Sequence, residues 1–111
     1  MKFAIVIHSN HAETVWNAFR FGITALTYDN QVSVFLLGRG VEAPTVGTLS
    51  YDIREQIDLF RDNGGQLIGC GVCCESRKDT MPFLEDALNC ELGSMQQLYA
   101  LIAEADRVVT F

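Results

Sequence analysis

Short apolar runs alternate along this chain with longer segments of helical periodicity. Residues 3–7, 32–37 and 66–71 are uncharged and rich in aliphatic side chains, as expected for strands that are buried on both faces of a sheet. Residues 106–111 form one more strand-like run. Strands that alternate with helices predict a parallel sheet with helices on both of its faces, which is a three-layer α/β architecture.

Three polar pairs have the spacing of helix caps, in which an Asn, Asp or Ser precedes a Glu or Gln by three residues: Asn10–Glu13, Asp52–Glu55 and Ser94–Gln97. Apolar residues follow each pair at helical spacing, and we expect them to face the core: Val15, Trp16, Phe19, Ile23 and Leu26; Ile53, Ile57 and Phe60; Met95, Leu98, Leu101 and Ile102. Polar and glycine-rich residues at 28–30 and 63–65 end the first two helices.

The segments between these elements have weaker patterns. Residues 39–50 contain three helix breakers and are predicted to form a loop. A short helix is expected at residues 82–88, because Pro82 suits the first turn of a helix. Residues 89–93 form either a very short fourth strand or a loop.

Length and charge restrict the class of protein. The chain has 111 residues and a formal net charge of −6, and this length predicts a single domain over residues 1–111. An acidic chain whose basic residues are scattered is a poor binder of nucleic acid. The run at 3–7 is shorter than the apolar region of a signal peptide, and no run approaches the length of a membrane span. We therefore expect a cytoplasmic protein that does not contact membranes.

Three of the four cysteines, Cys70, Cys73 and Cys74, lie together where the third predicted strand ends. In open parallel sheets, ligands and chemistry lie at the carboxyl ends of the strands. Residues 8–10 and 38–40 follow the first two strands and are expected at the same edge. Clustered cysteines of a cytoplasmic protein are more often catalytic, redox-active or metal-binding than disulfide-bonded.

Two interpretations treat the cysteines as a pair. A structural zinc site needs a second pair of ligands beside Cys70 and Cys73, whereas Cys90 stands alone and both histidines lie far upstream. We therefore predict no metal. A thioredoxin-type redox pair has the C-x-x-C spacing of this sequence, but such a pair begins a long helix, and no such helix is evident after Cys70.

Two further interpretations treat each cysteine by itself. A nucleophilic thiol needs access and nearby positive charge or backbone N–H groups, and Cys70 ends a strand with Arg77 and Lys78 close behind it. Alternatively, a free cysteine is a small buried apolar residue. This last interpretation suits Cys90 well and Cys74 in part.

The residues that follow the first two strands give weaker signals. His8 and His11 are candidates for a general base, although a loop histidine more often caps a helix or is solvated. The GRG sequence at 38–40 lacks the rest of a dinucleotide or P-loop pattern. We interpret it as a turn and predict no cofactor.

Five segments taken together resemble the DsrE/DsrF-like family: MKFAIVIHSN, ETVWNAFRFGITAL, VSVFLLGRGVE, GGQLIGCGVCCESR and ADRVVTF. The resemblance covers nearly the whole chain and points to the TusD-type sulfur-relay group, and within it to small members with a CGxC motif. It implies a mainly parallel five-stranded sheet and assembly as a trimer or a hexamer, either of one chain or of related chains, and we expect a homo-oligomer here. In the sulfur-transferring members a cysteine after the third strand accepts persulfide sulfur. Cys70 has that position here, Cys73 matches the second cysteine of the motif, and Cys74 has no counterpart.

The resulting prediction is a cytoplasmic sulfur carrier or sulfurtransferase-like protein, with Cys70 as the accepting thiol. Cys73 would release the sulfur by forming a disulfide with Cys70. Arg77 and Lys78 are expected to lower the pKa of Cys70 or to attract an anionic donor. The partners would be persulfide donor and acceptor proteins, and neither a nucleotide nor a metal would be needed.

Two alternatives come from other functional classes. One is a non-enzymatic oligomeric module that binds a ligand or a protein, and the other is a dithiol redox protein that uses Cys70 and Cys73. In each case we expect an oligomer, to which the apolar helix face of Val15, Trp16 and Phe19 would contribute.

Overall fold

Strands and helices alternate along almost the whole chain in a computed structural model that describes all 111 residues. The elements in chain order are β1 (Lys2–Ile7), α1 (Ala12–Thr27), β2 (Gln31–Leu36), a 3₁₀ helix (Gly38–Thr45), α2 (Ile53–Asp62), β3 (Gln66–Cys70), α3 (Gly71–Glu75), α4 (Leu84–Leu88), β4 (Glu91–Gly93), α5 (Met95–Glu104) and β5 (Arg107–Thr110). None of the helices has the length and apolar character needed to cross a membrane.

The five strands form one sheet in the order β4-β3-β2-β1-β5, and all neighbouring strands are parallel. This confirms the predicted α/β architecture. Residues 91–93, within the segment that the sequence left undecided, supply the edge strand β4. Because the strands are parallel, the last residues of β1, β2 and β3 lie at the same edge of the sheet: Ile7, Leu36 and Cys70.

Helices cover both faces of this sheet. Because successive side chains of a strand point to opposite faces, the strand residues that contact each helix show which face it covers. On one face Ile5 lies under α1, where a Cβ at Gly22 would be 3.4 Å from the Ile5 side chain. On the other face Ile68 lies near α5. A Cβ at Gly93 would be 2.6 Å from Ile68 and 3.2 Å from Gln97 of that helix. The prediction of helices on both faces is therefore confirmed.

Two of the largest buried side chains pack against each other between α1 and α2. Phe19 of α1 and Phe60 of α2 are fully buried, and their rings meet edge to face with centroids 5.7 Å apart. Full burial of one such side chain stabilises a fold by roughly 1.5–3 kcal/mol. Of the helix face that we expected to contribute to an oligomer, Val15 and Phe19 have 0% exposure and pack into the core, whereas Trp16 is half-buried.

Two of the three predicted helix caps are confirmed. The Asp52 side chain accepts a hydrogen bond from the N–H of Glu55 at 3.1 Å. At the start of α5, the Ser94 side chain accepts from the N–H of Gln97 at 3.3 Å, and the Gln97 side chain accepts from the N–H of Ser94 at 2.9 Å. This reciprocal pair satisfies two N–H groups that the helix itself leaves free.

The predicted cap of α1 is wrong. The helix begins after His11, which makes no side-chain capping bond. The Asn10 side chain instead donates to Glu42 at 3.4 Å. The Ser9 hydroxyl accepts a hydrogen bond from the N–H of His11 at 3.0 Å and so satisfies this backbone donor just before the helix. Asn10 thereby connects the end of β1 to the 3₁₀ helix.

Two other expectations need correction. Residues 38–45, within and next to the predicted loop, form the 3₁₀ helix. In α5, Leu98 is buried, but Met95 and Ile102 are 62% and 40% exposed. Two of the four predicted core residues of this helix therefore lie at the surface.

Candidate functional site

Cys70 is the last residue of β3 and the N-cap of α3. Its side chain is buried, with 6% exposure, and its Sγ accepts a hydrogen bond from the N–H of Cys73 at 3.3 Å. No helix was predicted directly after this cysteine, yet α3 begins there. The five residues of α3 are enough to turn the Cys73 N–H back toward the Cys70 sulfur.

Cys73 lies in the first turn of α3 and is half-buried. Its Sγ accepts a hydrogen bond from the N–H of Gly38 at 3.1 Å. Gly38 has a φ of +55°, a conformation that glycine adopts without steric cost and that other residues rarely adopt. The first glycine of the GRG sequence therefore places a backbone donor on the second cysteine.

Gly40 holds the 3₁₀ helix against the end of β1. A Cβ at this position would lie 1.9 Å from the carbonyl oxygen of Ile7, a distance at which two atoms overlap. The N–H of Leu37 also donates to the Ile7 carbonyl at 2.9 Å. Both contacts fix the start of the helix that carries Gly38 and its N–H group.

Arg77 connects α3 to the 3₁₀ helix. Its Nε lies 2.8 Å from Oε2 of Glu42, in a pair whose side chains are only 21% and 14% exposed. Its Nη1 donates to the carbonyl oxygen of Cys73 at 3.1 Å. Arg77 therefore holds the backbone of the second cysteine and the helix that supplies its hydrogen-bond donor.

The pKa of Cys70 is raised above its ordinary value of 9.0, first by burial and then by a hydrogen bond with the Cys73 side chain. Backbone hydrogen bonds from Cys73 and Val72 oppose this shift. Arg77 is engaged with Glu42, and Lys78 forms an exposed pair with Glu75 at 3.7 Å. The expectation that these two cations lower the pKa of Cys70 is therefore wrong.

The side chains of Cys74 and Cys90 pack in or against the hydrophobic core and make no hydrogen bond with the sulfur of Cys70 or Cys73. Cys74 is 3% exposed and belongs to the hydrophobic core, and burial raises its pKa to about 11. Cys90 is half-buried and packs against the same core. Cys74, whose role the sequence left open, therefore has a packing role, and all four cysteines are free thiols.

The profile of the DsrE/DsrF-like family matches residues 1–111, which is the whole chain. The chain belongs to the DsrE/DsrF-like family. This confirms the resemblance and places the protein in a family of sulfur-relay type, whereas membership of the CGxC subgroup stays a prediction.

Relatives and solved structures extend this result. The chain is 31% identical to an uncharacterized protein of Methanocaldococcus jannaschii over 117 residues, with 100% of both chains covered. It is 28% identical to an uncharacterized protein of Methanopyrus kandleri over 103 residues, which covers 89% of this chain and 83% of the relative. A conserved protein of unknown function from Bacteroides thetaiotaomicron has a TM-score of 0.78 at 15% identity, with 99% and 94% of the two chains covered. At this identity the solved structure shows a shared fold.

The other candidate residues of this DsrE/DsrF-like protein do not join the thiol pair. His8 is exposed at the end of β1, and a ring nitrogen of His11 lies 3.3 Å from the Thr14 hydroxyl on the surface of α1. No three side chains of His, Cys, Asp or Glu come together at a geometry that would hold a metal ion.

The sequence did not indicate the roles of Gly38 and Glu42. Gly38 acts through its backbone N–H, which no side-chain motif reveals. Glu42 is separated from Arg77 by 35 positions, and no local pattern links the two residues. A weak signal was the pair of glycines around Arg39, because glycine often marks a positive φ or a close approach of two backbone segments.

Proposed function

We propose that this DsrE/DsrF-like protein is a sulfur carrier that holds sulfane sulfur as a persulfide on Cys70. The observation that carries the proposal is a pair of free thiols at the carboxyl end of the sheet, each of which accepts a hydrogen bond from a backbone N–H. Cys73 donates its N–H to the Cys70 sulfur, and Gly38 donates to the Cys73 sulfur. The family membership of the whole chain supports the same chemistry.

The overall reaction transfers one sulfur atom without net oxidation. A donor persulfide R–S–SH and the Cys70 thiol give the donor thiol R–SH and a Cys70 persulfide. The S–S bond of the donor breaks as the new S–S bond on Cys70 forms, and the proton of the thiol ends on the donor sulfur. In this proposal the donor and the acceptor are persulfide-bearing and thiol-bearing partner proteins in the cytoplasm.

Burial suits Cys70 to storage of the sulfur. A persulfide at a 6% exposed position is shielded from the thiols in solution that would otherwise remove its outer sulfur. The N–H of Cys73 lies where it can donate to the inner sulfur. Release then needs an acceptor thiol that reaches the carboxyl edge of the sheet.

The proposal is tested by loading the reduced protein with glutathione persulfide and mapping the added sulfur by fragmentation mass spectrometry. We expect one added sulfur on Cys70 in the natural sequence and in Cys90→Ser, which removes a half-buried thiol from outside the site. Sulfur found only on Cys74 or Cys90, or no stable adduct at all, would show that the pair does not carry sulfur.

A dithiol redox protein is the second candidate, because Cys70 and Cys73 have C-x-x-C spacing across the start of a helix. In a redox pair whose first cysteine reacts with a partner, that cysteine is exposed. Here the first cysteine, Cys70, is buried and the second, Cys73, is half-buried. A Cys70–Cys73 disulfide that forms reversibly in glutathione buffers, together with no uptake of sulfur, would favour this candidate over a carrier.

A further inference from the structure

The two thiols of the pair differ in access. Cys70 and Cys74 are buried, whereas Cys73 is half-buried. Val72, directly before Cys73, is 78% exposed. A donor protein that approaches the carboxyl edge of the sheet along α3 therefore meets Cys73 before it can reach Cys70.

The two sulfurs also accept their hydrogen bonds from different elements. The Cys70 sulfur accepts from the N–H of Cys73 in α3 at 3.3 Å. The sulfur of Cys73 accepts from the N–H of Gly38 at 3.1 Å. This N–H is positioned to donate to the Cys73 sulfur as it attacks, and such contacts stabilise negative charge on an attacking sulfur.

We infer that Cys73 is the thiol that takes sulfur from the donor, and that Cys70 receives it from Cys73 in a second, internal step. This inference rests on the proposed function, and it assigns Cys73 a catalytic role that differs from the release of sulfur expected from the sequence. Arg77 is a positioning residue in this scheme, because it holds the Cys73 backbone through its carbonyl oxygen.

The first step moves one sulfur from the donor to Cys73. The Cys73 thiolate attacks the outer sulfur of the donor persulfide R–S–SH, and its own proton passes to solvent. The S–S bond of the donor breaks, a new S–S bond forms on Cys73, and the donor leaves as a thiolate that takes up a proton. The products are a Cys73 persulfide and the donor thiol, with no net oxidation.

The second step moves the same sulfur from Cys73 to Cys70. The Cys70 sulfur attacks the outer sulfur of the Cys73 persulfide, the S–S bond on Cys73 breaks, and Cys73 leaves as a thiolate. The proton of the Cys70 thiol ends on the Cys73 sulfur, so the transfer involves no net oxidation. Attack on the inner sulfur would instead give a Cys70–Cys73 disulfide and release hydrosulfide.

Rapid mixing with glutathione persulfide, followed by quenching with an alkylating agent and mapping by mass spectrometry, tests this order. In the natural sequence we expect added sulfur first on Cys73 and later on Cys70. In Cys70→Ser we expect the added sulfur to stay on Cys73, because the second step has lost its accepting thiol. In Cys73→Ser, uptake on Cys70 should slow by about tenfold or more, because the buried thiol must react directly with the donor.

Cys90→Ser is the matched control, since it makes the same substitution at another half-buried cysteine, and its rate should equal that of the natural sequence. Circular dichroism checks that each variant is folded. Loading of Cys70 in Cys73→Ser at the unchanged rate would overturn the inference and leave the carrier function intact. Hydrosulfide release with a disulfide and no Cys70 persulfide would overturn the second step. Absence of sulfur from both residues in the natural sequence would overturn the carrier function as well.

A measurement on the natural sequence alone gives a second test. Substoichiometric iodoacetamide should modify Cys73 of the reduced protein before Cys70, because the former is the more accessible thiol. Modification of Cys70 first would contradict the proposed order, whatever the behaviour of the serine variants.

Discussion

Arg77 and Glu42 form a 2.8 Å ion pair that joins the segment after α3 to the 3₁₀ helix. The same arginine donates to the carbonyl oxygen of Cys73, and the same helix begins at Gly38, which donates to the Cys73 sulfur. The ion pair therefore controls the distance between a cysteine and its hydrogen-bond donor, although neither charged group has a hydrogen bond to a thiol.

Removal of the arginine should cost stability and loosen the thiol site. Arg77→Met leaves Glu42 partly buried without its cation, and we expect a loss of about 1–2 kcal/mol in the free energy of unfolding, between the values for exposed and buried pairs. Urea denaturation measures this loss. In Arg77→Met/Glu42→Gln the loss should be smaller than the sum of the two single changes, and simple additivity would show that the pair contributes nothing.

The Glu42 carboxylate should make stability depend on acid pH. The hydrogen bond from Arg77 lowers the pKa of Glu42 below its ordinary value of 4.5. The unfolded chain therefore binds a proton at higher pH than the folded chain, so this stabilisation is complete above pH 4.5 and is lost as the pH falls through the folded value. Urea titrations at decreasing pH should show a shallower decline for Glu42→Gln than for the natural sequence. Equal slopes would contradict the assignment.

The two glycines of the 3₁₀ helix should respond differently to alanine. Gly40→Ala places a Cβ 1.9 Å from the Ile7 carbonyl oxygen, so the backbone must shift, and we expect a loss of more than about 3 kcal/mol or failure to fold. Gly38→Ala meets no atom within 4 Å and should cost only about 1–2 kcal/mol for its positive φ. Thermal unfolding ranks the two, and the reverse order would contradict the close approach at Gly40.

The strand positions could be predicted from the sequence because each central strand is buried on both faces and is therefore a nearly continuous apolar run. Asp52 and Ser94 could be assigned as caps because their partners lie three residues away, within the reach of local geometry. Asn10 has the same spacing to Glu13, but a tertiary contact with Glu42 replaces the local one. Local patterns cannot reveal which of two partners a side chain selects when one of them is distant in sequence.

The position of Cys70 at the strand end could also be predicted, since it follows from the strand boundary alone. Three other features could not be predicted, because each depends on how the 3₁₀ helix packs against α3. They are the burial of Cys70, the hydrogen bond from Gly38 and the Arg77–Glu42 ion pair. The predicted direction of the Cys70 pKa shift was wrong for the same reason. Arg77 is near Cys70 in sequence, but its charge is satisfied by a carboxylate from another element.

Self-association should involve α5 rather than the face of α1 that the sequence suggested. Met95, Tyr99 and Ile102 form an exposed apolar stripe on α5, and such stripes often contact another chain. We expect the protein to be a homo-oligomer by light scattering, and Tyr99→Asp to reduce its mass toward that of a monomer. Tyr28→Asp, at an exposed tyrosine after α1, is the matched control. A monomeric natural sequence would refute this prediction.

Cys74 should affect stability at alkaline pH without affecting sulfur uptake. Burial raises the pKa of Cys74 from 9.0 to about 11. The unfolded thiol therefore ionises at lower pH than the folded one, so the stabilisation is complete below pH 9 and declines as the pH rises toward about 11. Cys74→Ala should cost about 1 kcal/mol at neutral pH, because it removes one buried sulfur from the core.

Above pH 9, the natural sequence should lose stability more steeply than Cys74→Ala, because only the natural sequence carries this buried thiol. Denaturation with urea under reducing conditions compares the two slopes. Cys74→Ala should also load sulfur from glutathione persulfide at the rate of the natural sequence. A slower rate would assign Cys74 to the sulfur chemistry rather than to the core.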